Sequence, residues 1–502
     1  MNWTRREALR LAIGSAAAAW LGSRTLRADD TTRTKLFIRE VPITVNGRTD
    51  TVIAVQQEDG TFGFSPEKAD GFHVEVVNEL NVPTTLHWHG LVLPNLMDGV
   101  PWVTQEPIPP GGSMAYDFPL VQSGTYWMHS HYGLQEQYLE AAPLIIWTPE
   151  QRARADRQFV VMLSDFSFTP ADEILKKLVE SSEMPAMKMK PDEPVELYAQ
   201  AVEDGKLTRK VVTGHPADID VHYDALLANR RTIDDPEVLA VEPGQSVLLR
   251  IIAASSASDF YIDTGELQAE ILAVDGQDVE PVRGNYFQLA VAQRIDLRVT
   301  IPERGGAFPI LAQGEGSPLL CGVVLATEGT AIPKLPTKAD KLTVALDNTQ
   351  EKLLRAATPL EPRPVDRSLP CALGGKMDGY VWTINGAQYP NRNSLDVKEG
   401  ERVEVVFTNP TMMGHPMHLH GHDFQVTEID GEKIQGAMRD TIEIPPGSTI
   451  KVQFDATHRG IWAFHCHILY HLARGMFTVL KYDGADTKFW KPENSAKEIL
   501  NL

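Results

Sequence analysis

The chain has 502 residues, 43% of them apolar and 23% charged, with a formal charge of −20. That length exceeds one ordinary domain and suggests about three, and the composition is that of a globular protein. The acidic balance excludes a nucleic-acid partner, because phosphate contacts need a basic surface.

The first element is a leader. MNWTRREALRLAIGSAAAAWLGS carries Arg5-Arg6 ahead of an apolar stretch, Leu11 to Leu21, too short to cross a bilayer comfortably. It resembles a twin-arginine export signal with a cut near Ala28. Residues 1–28 are therefore expected to be removed, leaving a periplasmic or secreted chain with no integral membrane segment.

Beyond the leader strand patterns dominate, with 34 Pro and 37 Gly to supply turns. Segment one, 35–150, runs VEVVNEL, HWHG, IPPGGSMAYDF and GTYWMHSH. Charged or Pro-rich connections at 148–157 and 328–341 set off segment two, 155–330, and segment three, 341–502. Segment two opens with one helical pattern, ADEILKKLVESS at 171–182, followed by MPAMKMK at 184–190. Further on, Ile295, Leu297, Val299 and Ile301 alternate with Arg294, Asp296, Arg298 and Thr300, the period of two that marks a strand. Segment three then repeats segment one as VEVVFTN, HLHG, IPPGSTIKVQF and RGIWAFHCH. Ile108 to His129 and Ile444 to His465 both span 21 positions. Segment two keeps the rhythm in VEPGQSVLLRIIAAS but has no His-x-His. An all-β chain of three copies of one β-sandwich follows, with the middle copy as a spacer.

The outer copies hold four His-x-His pairs: His87/His89, His129/His131, His418/His420 and His465/His467. Random placement of 15 histidines predicts about half of one such pair. On a strand, residues i and i+2 share a face, so each pair turns two imidazoles to one side, as a shared metal cluster requires. Neutral imidazole suits copper, zinc, iron and nickel. His73, His215, His222, His422 and His458 have no such partner and are read as ordinary polar residues.

Cys466 lies between His465 and His467 and must face the other way. With His415, His471 and Met476 it completes a set of two His, one Cys and a weak axial Met, that of a blue-copper electron-transfer centre. Zinc fits poorly, because Met is a weak ligand for it. The cysteine is then a wire from that centre to the cluster. With Cys466 committed, Cys321 and Cys371 either pair or remain buried thiols.

HWHG, WMHSH, HPMHLHG and HCHILYHLARGM resemble the four copper motifs of the multicopper oxidase family, and the resemblance covers nearly the whole mature chain. It implies three consecutive cupredoxin-like Greek-key domains and four copper ions per chain. His87 and His418 would bind the type 2 copper. His89, His129 and His467 would bind one type 3 copper, and His131, His420 and His465 the other. His415, Cys466, His471 and Met476 would hold the type 1 copper. The implied reaction couples four one-electron oxidations of a small reductant to reduction of O₂ to two waters. Asp98 in LPNLMDGVP resembles the family's proton-relay aspartate, although Asp-Gly is also a common turn. Leu472 is a departure, standing where many bacterial relatives have a Glu.

Two features lean toward cuprous ion as reductant. LPNLMDGVP, GTYWMHSHYGLQEQ and HCHILYHLARGM look most like the periplasmic copper-resistance branch, and Met184, Met187 and Met189 offer soft thioethers that select Cu(I). Met412 and Met413 are a second entry point or packing around the type 1 site. The alternatives are a laccase of phenols or aromatic amines and, from another class, a copper store that does not turn over. Arg439 and Asp440 are read as a structural charge pair.

Overall fold

The computed structural model describes residues 33–154, 156–182, 193–391 and 394–499. The leader at 1–28 and the methionine segment with Met184, Met187 and Met189 lie outside the described residues. Each segment of the chain builds two sheets. In the first, one sheet has the order Arg48–Gln56, Thr34–Val45, Phe72–Asn78, Ser113–Phe118, and the other His87–His89, Gly124–His129, Ala141–Ile146. They meet through the Phe72 and Trp88 rings, centroids 4.7 Å apart.

The middle segment has an eight-stranded and a five-stranded sheet. The third pairs a larger sheet around Arg402–Thr408 and Thr449–Asp455 with a five-stranded one in the order Leu395–Val397, Phe477–Tyr482, Ile461–Cys466, His415–Leu419, Thr441–Ile444. Most neighbours are antiparallel, but Arg157–Phe166 runs parallel to Ser246–Ala253, and Arg367–Lys376 parallel to Arg402–Thr408. A parallel neighbour needs a crossing connection, and its recurrence at matching places marks the cupredoxin-like repeat. Ala171–Ser182 forms the expected helix and buries Ala171, Ile174, Leu175 and Leu178. Among the described residues no helix is long and apolar enough to cross a membrane.

One apolar cluster runs without a break through the first and third segments, from Leu36, Trp88 and Trp127 to Trp462, Phe464 and Met476. Another belongs mainly to the middle segment. Truncating one of these buried tryptophans to Ala costs about 3–5 kcal/mol, so the junction of the first and third segments is rigid. The ligand-bearing strands sit there in matching registers: His87 opposite His129, and His418 opposite His465. Trp88, Met417 and Leu419 occupy the alternate positions and point into the core, which turns the histidines toward the junction.

The Arg294–Thr300 strand forms, but the first half of its polar face is buried too: Arg294 is 1% and Asp296 6% exposed, whereas Thr300 faces solvent. That face meets the first segment, where Thr125 Oγ1 donates to Asp296 Oδ1 at 2.6 Å and the Thr125 carbonyl accepts from Arg294 Nε at 3.2 Å. Cys321 and Cys371 are separate buried thiols in different core clusters, not a disulfide.

Candidate metal centre

All eight histidines of the four pairs converge, each at most 5% exposed. His87 stacks on His420 at 3.9 Å between centroids and His89 on His418 at 3.8 Å. His131 and His465 meet Nε2 to Nε2 at 3.3 Å, and His129 and His467 likewise at 3.3 Å. Exchanging the first segment's motifs for the third's carries each contact onto its mate, so the cluster has an approximate two-fold axis.

The second nitrogens are anchored by the protein. His87 Nδ1 donates to the Asp98 carbonyl at 2.7 Å, His418 Nδ1 to the Asp440 carbonyl at 2.9 Å and His465 Nδ1 to the Cys466 carbonyl at 2.9 Å. His420 Nδ1 donates to Asp98 Oδ2 at 2.9 Å, whereas His89 is held through Nε2, by Asp440 Oδ1 and Thr441 Oγ1, both at 3.1 Å. His87 Nε2, His89 Nδ1 and His418 Nε2 are left buried without a hydrogen-bond partner, as is His467 Nδ1, the second nitrogen that the protein does not anchor. Burial first, and then neighbouring rings, push His89, His129, His131, His418, His420 and His467 well below the ordinary histidine range. Neutral imidazoles with bare lone pairs facing one another fit metal cations.

Asp98 is fully buried and ends the short 3-10 turn Asn95–Met97, so the turn reading and the site reading both hold. Gly99 follows at φ 84°, where a Cβ would overlap the Leu86 carbonyl just before His87. One oxygen of Asp98, Oδ1, has no hydrogen-bond partner, although it lies 3.3 Å from His87 Nδ1. That nitrogen's proton goes to the nearer carbonyl. Arg439 and Asp440 do not pair with each other. Arg439 reaches Glu351 at 2.7 Å and Asp275 at 3.2 Å, while Asp440, at the bend between the Met438–Arg439 and Thr441–Ile444 strands, is clamped by Arg294.

Behind the cluster, His415 Nδ1 and His471 Nδ1 lie 3.8 and 3.7 Å from Cys466 Sγ and 3.2 Å from each other. Met476 is fully buried beside them; its N–H donates to the His471 carbonyl at 3.0 Å and its carbonyl accepts from Cys466 N–H at 3.1 Å. Burial pushes the Cys466 thiol up, so a thiolate there needs a cation beside it. The short helix Leu469–Ala473 places His471. Trp382 lies against its ring at 3.9 Å, and His471 Nε2 donates to Asp220 Oδ2 at 2.9 Å. Tyr380 also donates to that carboxylate. Met412 is 70% exposed, whereas Met413 packs against the core.

Sequence reasoning missed Asp220, which sits in an irregular loop with no motif, and Glu136, which was visible only as part of GLQEQ. Glu136 Oε2 lies 3.2 Å from His129 Nδ1, and a small cavity is lined by Glu136, Leu472 and four of the cluster histidines. At the first-segment positions matching His415, Cys466, His471 and Met476 stand Thr84, Ser130, Gln135 and Glu140. These four bond to one another: Thr84 Oγ1 donates toward Glu140 Oε1 at 2.7 Å and Gln135 Oε1 at 2.9 Å, and Ser130 Oγ to Gln135 Oε1 at 2.8 Å. Even the backbone bond recurs, Ser130 N–H to the Glu140 carbonyl at 2.9 Å.

An eight-histidine cluster beside a separate His415–Cys466–His471 group, on three cupredoxin-like sandwiches, defines a copper oxidase architecture. Multicopper oxidase sequence profiles match residues 38–151, 157–332 and 363–486, and the chain belongs to that family. It is 33% identical to multicopper oxidase MmcO of Mycobacterium tuberculosis over 82% of this chain and 79% of that one. Copper resistance protein A of Escherichia coli is 28% identical over 83% and 87%. Among solved structures, Fet3p, a multicopper oxidase that functions in iron import, shares the fold with a TM-score of 0.72 at 22% identity, covering 92% of this chain and 93% of that one.

Proposed function

We propose that the protein is a cuprous oxidase: it takes electrons singly from Cu(I) and delivers them to O₂. His415, Cys466, His471 and Met476 would hold the type 1 copper, and His87 with His418 the type 2 copper. His89, His129 and His467 would hold one type 3 copper, and His131, His420 and His465 the other. When bound, these four coppers supply one-electron oxidation of the reductant and reduction of O₂ to water. The first segment, 35–150, and the third, 341–502, share the ligands, and 155–330 spaces them. Residues 1–28 direct twin-arginine-type export, which places the reaction in the periplasm or outside the cell.

The chain's own residues supply the remaining parts. Cys466 joins the two ligand sets through its own peptide bonds. Asp98 Oδ2 accepts from His420 Nδ1, which leaves Oδ1 as the atom that carries a proton to the cluster. Glu136, on the cavity wall that it shares with Leu472, brings a second carboxylate to the type 3 side.

The choice of Cu(I) rests on the entrance. His415 and His471 are fully buried, and the outward nitrogen of His471 is taken by Asp220. An aromatic reductant finds no open imidazole edge to lie against, while a cation is drawn to a carboxylate one hydrogen bond from a ligand. Met184, Met187 and Met189 supply soft thioethers that select Cu(I), and the relatives named copper resistance proteins support the same reading. Oxygen uptake by copper-loaded protein, with Cu(I) and with a methoxyphenol as separate reductants, tests it. Rapid Cu(I) turnover that Met184→Leu/Met187→Leu/Met189→Leu loses is expected. Efficient phenol oxidation untouched by those changes would make the protein a laccase, and copper bound without oxygen uptake would make it a store.

A further inference from the structure

The approximate two-fold of the cluster relates Asp98 to Asp440. Each accepts a ligand Nδ1–H at its own carbonyl, from His87 at 2.7 Å and from His418 at 2.9 Å. Each carboxylate then reaches the second histidine of the other segment's pair: Asp98 to His420, Asp440 to His89. The symmetry breaks at that contact. His420 is held by Nδ1 and turns Nε2 inward to His465 at 3.0 Å, whereas His89 is held by Nε2 and leaves Nδ1 bare.

The difference coincides with an arginine that only one aspartate has. Arg294, 1% exposed, comes from the middle segment, which contributes no histidine to the cluster. Its Nη1 donates to Asp440 Oδ1 at 2.8 Å and its Nη2 bonds Oδ2, a two-pronged clamp. The guanidinium is itself fixed by the Thr125 and Ala292 carbonyls at 3.2 and 3.1 Å and lies 5.6 Å from the centroid of the Tyr126 ring. Gly90, at φ 86°, leaves room for the pair, since a Cβ there would overlap both Asp440 and Arg294. Asp98 has no such partner, and its Oδ1 is unbonded. Thr441 Oγ1 donates to the clamped Asp440 Oδ1 at 2.8 Å, and these two oxygens share the His89 Nε2 proton at 3.1 Å each, while the His418 Nδ1 proton stays on the nearer Asp440 carbonyl.

We propose that Arg294 is a positioning residue of the trinuclear centre: by clamping Asp440 it locks His89 in the ring orientation that presents Nδ1 to copper, and keeps His418 presenting Nε2. The ligand-free middle domain thereby sets the geometry of one type 3 position. This rests on the copper reading above. Removing the clamp frees Asp440 to turn and His89 to flip, and the copper pair that depends on that ligand loses its coupling.

Arg294→Lys tests this, because it keeps the charge and removes the fork. Arg439→Lys is the control. The Arg439 guanidinium belongs to the same buried charge network but pairs with Asp275 and Glu351 rather than with the Asp440 carboxylate. Copper-loaded proteins are compared by copper content, near-ultraviolet absorption of the coupled pair, EPR-detectable copper and blue absorption. In Arg294→Lys the coupled-pair absorption is lost and its copper becomes visible by EPR, with blue absorption per chain unchanged. Arg439→Lys matches the unsubstituted protein. Arg294→Lys with the coupled pair intact, or both variants losing it alike, overturns the proposal. Should Arg294→Lys yield no blue protein, Asp440→Asn is the deciding variant: loss of the coupled pair alone supports the clamp, and its retention overturns it. An unsubstituted protein without a coupled pair would sink the ligand assignment itself.

Discussion

Asp98 and Asp440 occupy matching places, yet of the two only Asp98 keeps an unbonded oxygen, the feature on which its proposed relay role rests. Asp98→Asn is expected to slow oxygen reduction by about 10²–10⁴-fold, the usual contribution of a placed acid or base. Blue absorption should persist, since His415, Cys466 and His471 lie elsewhere. Stopped-flow reoxidation of reduced protein measures this, and an unchanged rate would remove Asp98 from the relay. At the entrance, Asp220→Asn keeps the His471 bond and loses the charge. A charge-assisted bond exceeds a neutral one by about 1–2 kcal/mol, so kcat/KM for Cu(I) should fall about 5–30-fold. Oxidation of a neutral reductant should change little, and an equal loss for both would show that Asp220 only shapes the site.

Short strands between glycine turns do most of the placing. Gly99 is the tightest of these: φ 84° puts it in the left-handed region, and a Cβ would run into backbone rather than a movable side chain. Gly99→Ala should cost about 1–3 kcal/mol and pull Asp98 and His87 out of line together, visible as a lower urea midpoint and lower copper content. An unchanged midpoint would mean the turn relaxes freely. Much at this scale was legible in the sequence. The period of two turns His87 and His89 to one face and the repeat pairs the motifs, because both are local backbone properties, whereas His131, His420 and His467 reach the cluster from just past their strand ends. Alternation fails at Arg294 and Asp296, which another domain covers, although it holds at Thr300, and an isolated strand carries no sign of its neighbour. Arg439 and Asp440 do not pair for a related reason: a bend at Asp440 sends its side chain to Arg294 of the middle domain, a partner that sequence adjacency does not reveal. Asp220 was illegible because a loop's reach across a domain boundary has no periodic trace.

In the molecule as a whole, many imidazoles are buried neutral, and this sets the acid limit of the copper-free protein. His465 drops from 6.5 to about 4 on folding, chiefly through burial. Below pH 6.5 the unfolded chain therefore binds a proton that the folded chain does not. The stabilisation is complete above pH 6.5 and drains away down to about pH 4. The other depressed ligand histidines act with the same sign, so the midpoint of copper-free protein should fall steeply over that window. Copper occupies those lone pairs and stabilises only the folded state. Loaded protein should therefore melt later than copper-free protein at neutral pH and lose that advantage as acid strips the metal. Calorimetry on both forms decides it, and a pH-independent midpoint would contradict the burial assigned to the cluster.

The polar quartet Thr84, Ser130, Gln135 and Glu140 sits opposite the sulfur site across the cluster's two-fold axis. On the copper reading proposed above, the polarisable sulfur of one flank is matched on the other by hydroxyls, an amide and a carboxyl, which carry no accessible redox level. Electrons would then enter from a single side, with the first domain's flank as insulation.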